Sequence, residues 1–306
     1  MKYRPMPEIE LEDDDGTIYP LSFPGRLLQS IDGLGLPPIQ HWTTRSPYQA
    51  GRSHWGYAVQ PRVINAVLYL RGCDRADMYA KRRANVVMLS PHNGPHKLRL
   101  ITPDLRKYAL HNVWVSAGYT LSSQDQPMPQ RQVGGVQLTA YDPIWKWENS
   151  PLDAGESRDA EGRTCVSDDT WTTSAELTLP FTGPYLMGTT TGTNALTCTN
   201  DGSWATRPYI TLLGPCNDWV LTNTTNGSQL SWDGYQIAGG ETITIDIPGK
   251  TVTSDVSGDV STYLSGDTGS FELDPGANAL TIFASGGVVN LTTEISVCWY
   301  VELLGV

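Results

Sequence analysis

The sequence predicts a mainly β protein in two parts: a β-rich first half with one helix, and a second half folded as a β-sandwich or jelly roll. Three observations carry this. Short strand-like runs and turn dipeptides alternate through the second half at intervals of about 8–12 residues. One stretch alone, Asp74 to Leu89, has the caps and the stop of a helix. Charge also divides sharply: residues 1–150 carry 17 Lys+Arg against 13 Asp+Glu, and residues 151–306 carry 4 against 19. All five histidines (His41, His54, His92, His96, His111) lie in the first half. Such asymmetry marks two domains with different surfaces.

In the first half, Val63–Leu70 is apolar at both alternating sets of positions, which predicts a covered central strand. Asp74 caps the helix, and Asp77 three residues on completes a capping-box-like start. Met78, Arg82, Val86 and Leu89 then form its inner side. Pro91 ends it, because the residue before a proline is pushed out of helical geometry. Lys97–Ile101, Arg106–Trp114 and Val133–Tyr141 follow as strands. In the last, Val136, Leu138 and Ala140 alternate with Gln137 and Thr139, the pattern of a half-buried strand. Residues 149–170 are polar and turn-rich and read as a linker. They separate a domain at 1–148 from one at 171–306.

The second half gives strands at Ala175–Leu179, Pro208–Leu213, Trp219–Asn223, Ser228–Trp232, Thr242–Ile247, Ser270–Leu273, Asn278–Ala284 and Ile295–Leu303. Asn226-Gly227, Asp233-Gly234, Gly239-Gly240 and Pro275-Gly276 punctuate them. No helix is expected there. No run of 18 apolar residues is available to cross a membrane as a helix. The start, Met1 to Pro5 running into Glu8–Asp15, lacks an apolar signal core, so a soluble, non-exported chain is expected.

No catalytic constellation emerges. His92 and His96 are four apart, but Gly94 and Pro95 forbid the helix a zinc pair would use, and the His-Glu-x-x-His glutamate is missing. Neither a Gly-x-Ser-x-Gly elbow nor a Walker-type loop is present. Asp13-Asp14-Asp15-Gly16 lacks the spacing of a calcium loop and reads as a solvated turn. Lys81-Arg82-Arg83 is either a nucleic-acid patch or a solvated or interface face, and the second reading is taken. Five widely spaced cysteines without a C-x-x-C pair read as buried free thiols. Trp171, Trp204, Trp219, Trp232 and Trp299 either fill a sandwich core or stack on sugars. The expectation is therefore no enzyme, no metal and no cofactor.

Taken in order, several stretches are similar to one family. In the first half they are Gly16-Thr17-Ile18-Tyr19-Pro20-Leu21, then Pro61-Arg62-Val63-Ile64, then the helix with Arg82-Arg83 ending in Leu89-Ser90-Pro91, then Ala140-Tyr141-Asp142-Pro143-Ile144-Trp145. Leu179-Pro180-Phe181 with Tyr185–Gly188 resembles a connecting arm. Arg207-Pro208 through Gly214-Pro215, Ala238 through Asp246 with Glu241, and Phe271 through Asn278 with Pro275-Gly276 complete the series. The chain resembles the distal tail proteins of long-tailed siphophages, and the collinear order carries the likeness. Its structural motif positions are Pro61, Arg62, Arg83, Pro91, Ala140, Asp142, Pro143, Trp145, Pro208, Gly214, Glu241, Pro275, Gly276 and Asn278.

The resemblance implies a belt-like, tail-tube-like first domain and a galectin-like second domain. It implies a structural virion component: a homo-oligomeric ring of six copies at the tail tip or baseplate, assembled in the host cytoplasm. Its neighbours would be the tail tube protein, a tail-associated hub protein and the tape measure protein, with DNA passing through the lumen. The alternative is a carbohydrate-binding adhesion module contacting the host surface. A galectin-type sugar site needs His and Arg beside a Trp. The second half has no His, and its Arg are Arg158, Arg163 and Arg207 alone.

Overall fold

The computed structural model describes residues 8–22, 25–48, 50–103, 105–121, 131–148, 163–168, 193–284 and 294–306. The chain forms two compact units, residues 1–154 together with 303–306, and residues 155–302. The second unit is thus inserted between the body of the first and its last four residues. Both are mainly β, as the patterning predicts.

In unit 1 the elements are β1 (Glu8–Glu12), β2 (Ile18–Pro20), β3 (Arg26–Asp32), β4 (Ile39–Thr44), β5 (Ser53–Val59), β6 (Arg62–Arg71), α1 (Arg75–Met88), β7 (His96–Ile101), β8 (Lys107–Leu121), β9 (Arg131–Ala140) and β10 (Trp145–Glu148). An antiparallel sheet runs β2-β1-β7-β8-β9-β6-β3, with β10 also on β8. One core joins Ile9 and Leu11 of β1, Ile64 and Leu68 of β6, Leu98 of β7, Leu110 of β8, Leu138 of β9 and Met88 of α1. The strands β4 and β5 form a separate two-stranded sheet. Val136, Leu138 and Ala140 are buried while Gln137 and Thr139 are half-buried, so the alternation read in β9 holds.

Unit 2 contains β11 (Thr164–Asp168), β12 (Thr193–Asn200), β13 (Tyr209–Leu213), β14 (Trp219–Asn223), β15 (Gln229–Trp232), β16 (Thr242–Asp246), β17 (Thr251–Ser254), β18 (Gly258–Asp259), β19 (Leu264–Gly266), β20 (Gly276–Ala284) and β21 (Glu294–Trp299). They form two sheets, β11-β21-β13-β16-β17-β18 and β12-β20-β14-β15-β19. Ile210, Ile243 and Ile245 of the first share one core with Trp219, Leu221, Leu230 and Leu280 of the second. Side chains from two inner faces meeting in one core define a sandwich. The glycines of all four turn signals (Gly227, Gly234, Gly240, Gly276) have positive φ, the conformation that favours glycine.

Tertiary packing overrides several local readings. Strand β6 is paired on both sides but lies next to the edge of its sheet and is open on one face: Ile64, Ala66, Leu68 and Leu70 are buried, whereas Val63 is 41 % exposed. Asp74 caps α1 as expected, accepting from the Asp77 amide at 2.7 Å, while the Asp77 carboxylate accepts from the Cys73 amide at 2.8 Å. The inner helix face, however, is Met78, Asn85, Met88 and then Leu89, and Val86 points outward. Polar Asn85 takes the inner place because buried Arg26 donates to its Oδ1 at 2.5 Å. Ser270–Leu273 is no strand. Ser270 and Phe271 bond back to the Asp267 carbonyl as a turn, and Leu273 alone bridges Thr206. The last predicted strand breaks into Glu294–Trp299 and Glu302–Leu303. Thr164–Asp168, inside the polar linker stretch, pairs with β21. Ala175–Leu179 and the connecting-arm motifs lie outside the described residues.

The cysteines correct a second expectation. Cys165 and Cys298 form a disulfide. Cys198 and Cys216 are free and buried, and burial pushes both thiols up to about 12. Cys73 is free and exposed. Spacing along the chain gave no sign of the pair, since the two cysteines are 133 residues apart.

Candidate assembly surfaces and their buried supports

Two motif stretches of unit 1 meet at one buried guanidinium. Arg62 opens β6 opposite Ala140, the last residue of β9. Only 1 % of Arg62 is exposed. It donates to the Pro143 carbonyl from Nε at 3.1 Å and Nη2 at 2.9 Å, to Gly33 at 3.0 Å, to Leu304 at 2.9 Å, and also to Gly35. Its Cζ lies 5.6 Å from the centre of the Trp145 ring, a cation–π contact. Trp145 is fully buried, and its indole N–H donates to Leu34 at 3.0 Å. Desolvation lowers the Arg62 pKa to about 10, so the group remains cationic near neutrality. A buried cation needs such a shell of acceptors. The site ties the strand start, the loop after β3, the loop before β10 and the chain end into one knot. Beside it, Asp142 pairs with Lys146 at 2.8 Å.

Pro61, Arg83 and Pro91 do not join this knot. Pro61 and Arg83 are exposed. Pro91 begins a short 3-10 turn capped by Ser90.

The unit 2 motif residues form two structural locks. Gly214 donates its amide to the Glu241 carbonyl at 2.8 Å. A Cβ there would lie 2.3 Å from the Ala238 oxygen. The Glu241 carboxylate accepts from Tyr235 Oη at 2.6 Å, Ser254 Oγ at 2.5 Å and the Ala238 amide at 2.8 Å. Burial alone would raise its pKa, but these bonds to the charged form hold it below the usual value. The second lock is the turn at Pro275-Gly276. Buried Asn278 accepts from the Asp274 amide at 2.9 Å and from Asn223 Nδ2 at 3.2 Å, and donates to the Asp274 and Gly276 carbonyls. Pro208 is buried just before β13.

These supports leave distinct surfaces free. The β4–β5 hairpin exposes Trp42 (54 %), Trp55 (74 %) and Tyr57 (51 %). Single exposed apolar side chains are ordinary, but several large aromatics on one ribbon suit a protein interface. The outer side of α1 adds Tyr79, Val86 and Val87 beside Arg75 and Arg83. A third feature is a charge network on the far face of the sheet. Arg99 pairs with Glu148 at 2.8 Å and also with Glu12, and Lys97 pairs with Glu148. His111 on β8 sits among them. Desolvation first, then Lys146, Lys97 and Arg99, push its pKa down to about 3.

The candidate chemistry read from the sequence does not assemble. His96 is buried and His92 exposed, and no cluster of three or more metal-binding side chains occurs among the described residues. Asp13 caps its turn by accepting from the Thr17 amide at 2.8 Å. Trp219, Trp232 and Trp299 are buried in the sandwich core, so the core reading is realised for these three, while Trp204 is half-buried outside that core. Trp171 lies outside the described residues. Trp219 and Trp232 stack on each other with centroids 5.9 Å apart and planes at 5°. Neither offers a face to a sugar.

Comparison with known proteins now bears on these features. Residues 201–297 match the model of the siphovirus-type tail component, C-terminal domain. That match lies within the second unit. The motif stretches Arg207–Pro215, Ala238–Asp246 and Phe271–Asn278 fall inside this match, and the connecting-arm motifs precede it. The crystal structure of the Dit protein of phage SPP1 is described as a paradigm of the hub adsorption apparatus in phages infecting Gram-positive bacteria. It aligns over 95 % of this chain and 98 % of that chain, with a TM-score of 0.64 at 10 % identity. Identity that low shows a shared fold, here over nearly the full length. A chain of the phage P2 baseplate in its activated, calcium-bound conformation aligns over 96 % of this chain and 98 % of its own at a TM-score of 0.46 and 9 % identity, too low a score to carry an argument. Comparison with curated proteins finds no match. The likeness to siphophage distal tail proteins read from the motifs is borne out. The matched family is one of structural tail components, not of enzymes.

Proposed function

We propose that this chain is a distal tail protein, a structural hub component at the tail tip of a siphophage virion. One observation carries the reading: a tail-component domain at 201–297 within a chain whose whole fold matches that of the SPP1 Dit protein. In this reading six copies form a ring that joins tail tube to tail tip and lets DNA pass. Residues 1–148 form the ring, and 171–306 form an outward, galectin-like domain. The motif residues, Arg62 and Asn278 among them, are structural supports.

Physical features favour the assignment. A closed ring made by head-to-tail contacts needs two different complementary faces on each copy. The aromatic hairpin β4–β5 and the outer side of α1 are two such candidates in unit 1. The acidic second half repels phosphate and suits a solvated exterior. The neighbours in this reading are the tail tube, a tail-associated hub protein and the tape measure protein, after assembly in the host cytoplasm.

Electron microscopy of the purified protein, alone and mixed with tail tube ends, tests this. Six-fold rings with a central hole are expected in at least one sample. Mass spectrometry of purified virions is the complement, and absence of the chain from virions would overturn the assignment.

A further inference from the structure

Cys165 and Cys298 stand directly opposite each other on β11 and β21, with Cα atoms 4.1 Å apart, and are joined as a disulfide. Both are half-buried. Among the described residues strand β11 is the edge of its sheet, and its ladder to β21 is five residue pairs long. The crosslink therefore holds an edge strand whose pairing is otherwise short. Exposed edges are weak points that proteins protect. The other three cysteines are free, and Cys198 and Cys216 are buried away from reagents.

This bond conflicts with the compartment in which the proposed function has the protein made. Thiols in the cytoplasm are kept reduced, whereas disulfides form and persist outside the cell. We propose that the Cys165–Cys298 pair is a modification site that closes after release from the host cell, fastening β11 to the sandwich only once assembly is over. The timing rests on the tail-protein reading; the chemistry does not. One cysteine, as thiolate, attacks a small-molecule disulfide and expels one thiolate. The second cysteine then attacks the mixed disulfide and expels the other. One protein disulfide forms, and the small-molecule disulfide is reduced to two thiols. The register favours the second step, because the resolving sulfur lies across a single strand pair.

The test counts thiols and then reads the strand. Tag-free full-length protein is made in a reducing bacterial cytoplasm and alkylated under denaturing conditions at lysis. All five cysteines are expected to be modified. After exposure to oxidised glutathione, Cys165 and Cys298 should carry a bond to each other and resist modification, while buried Cys198 and Cys216 remain modifiable. Hydrogen exchange of the Thr164–Asp168 amides should then slow by about tenfold or more, with β14 unchanged. Cys165→Ser protein should keep the fast exchange under both conditions. A disulfide already present at lysis, five free thiols after oxidation, or equal exchange in both states would each overturn the proposal. These readouts need no virion, so failure of the tail reading would register separately, in the virion composition.

Discussion

Arg62 grips the carbonyl of Pro143 with two N–H groups, at 3.1 and 2.9 Å, across 81 residues of sequence. The same guanidinium reaches Leu304 near the chain end, 242 residues away. Unit 1 therefore closes on itself around one cation. The chain leaves for the second unit and returns to be held there.

Replacing Arg62 by methionine keeps much of the volume but removes the one donor shared by the carbonyls of Gly33, Gly35, Pro143 and Leu304. A loss of about 3 kcal/mol in unfolding free energy is expected, because hydrogen bonds to a charged group contribute about 1.5–3 kcal/mol each and water replaces part of them at these partly buried acceptors. Urea denaturation followed by unit 1 tryptophan fluorescence measures it. A loss within about 0.5 kcal/mol, typical of a surface site, would remove Arg62 from its supporting role.

Asn278→Ala should cost unit 2 about 2 kcal/mol, since the side chain accepts two hydrogen bonds and donates two within a buried turn. Thermal unfolding of the full chain, with Asn226→Ala as an exposed comparison, checks this. The comparison variant should move much less.

The tryptophans should separate cleanly into two kinds. Trp219→Ala opens a cavity beside Trp232 and is expected to cost about 4 kcal/mol. Trp55→Ala, on the exposed hairpin, should change stability by no more than about 0.5 kcal/mol. If the hairpin is an assembly face, Trp55→Ala should still reduce ring formation in electron micrographs. Full ring yield from the Trp42→Ala, Trp55→Ala double variant would exclude the hairpin from the contact.

Acid should weaken unit 1 through His111. Its folded pKa, about 3, lies below the unfolded value near 6.5, so between these limits the unfolded chain binds the extra proton. Stability from this group is complete above about pH 6.5 and declines as pH falls towards 3, with a slope of at most about 1.4 kcal/mol per pH unit. His111→Gln should flatten that decline when denaturation midpoints are compared across pH 7 to 4. An unchanged slope would assign the acid sensitivity to other groups.

Elements whose signals are local are legible in the residues alone. Alternation in Val136–Ala140 reports which residues of a strand share a face, because successive side chains in extended backbone point to opposite sides. Asp74 and Asp77 announced the helix start, since their carboxylates bond amides within four residues. The four glycine turns were readable because positive φ excludes most other residues. The ordered motifs are legible too, and their likeness to one family needs no geometry.

Partnership over long separations arises only in the folded chain. No local rule pairs Cys165 with Cys298, or brings Arg62 to Pro143 and Leu304. The apolar content of β6 predicts cover on both sides, but which side receives a neighbour depends on packing that apolar content alone does not specify. Val86 lost the inner helix position to Asn85 because Arg26, 59 residues earlier, supplies the polar partner. Alternation and capping are properties of a few consecutive residues. Burial, pairing and charge compensation belong to the residues that the folded chain brings together.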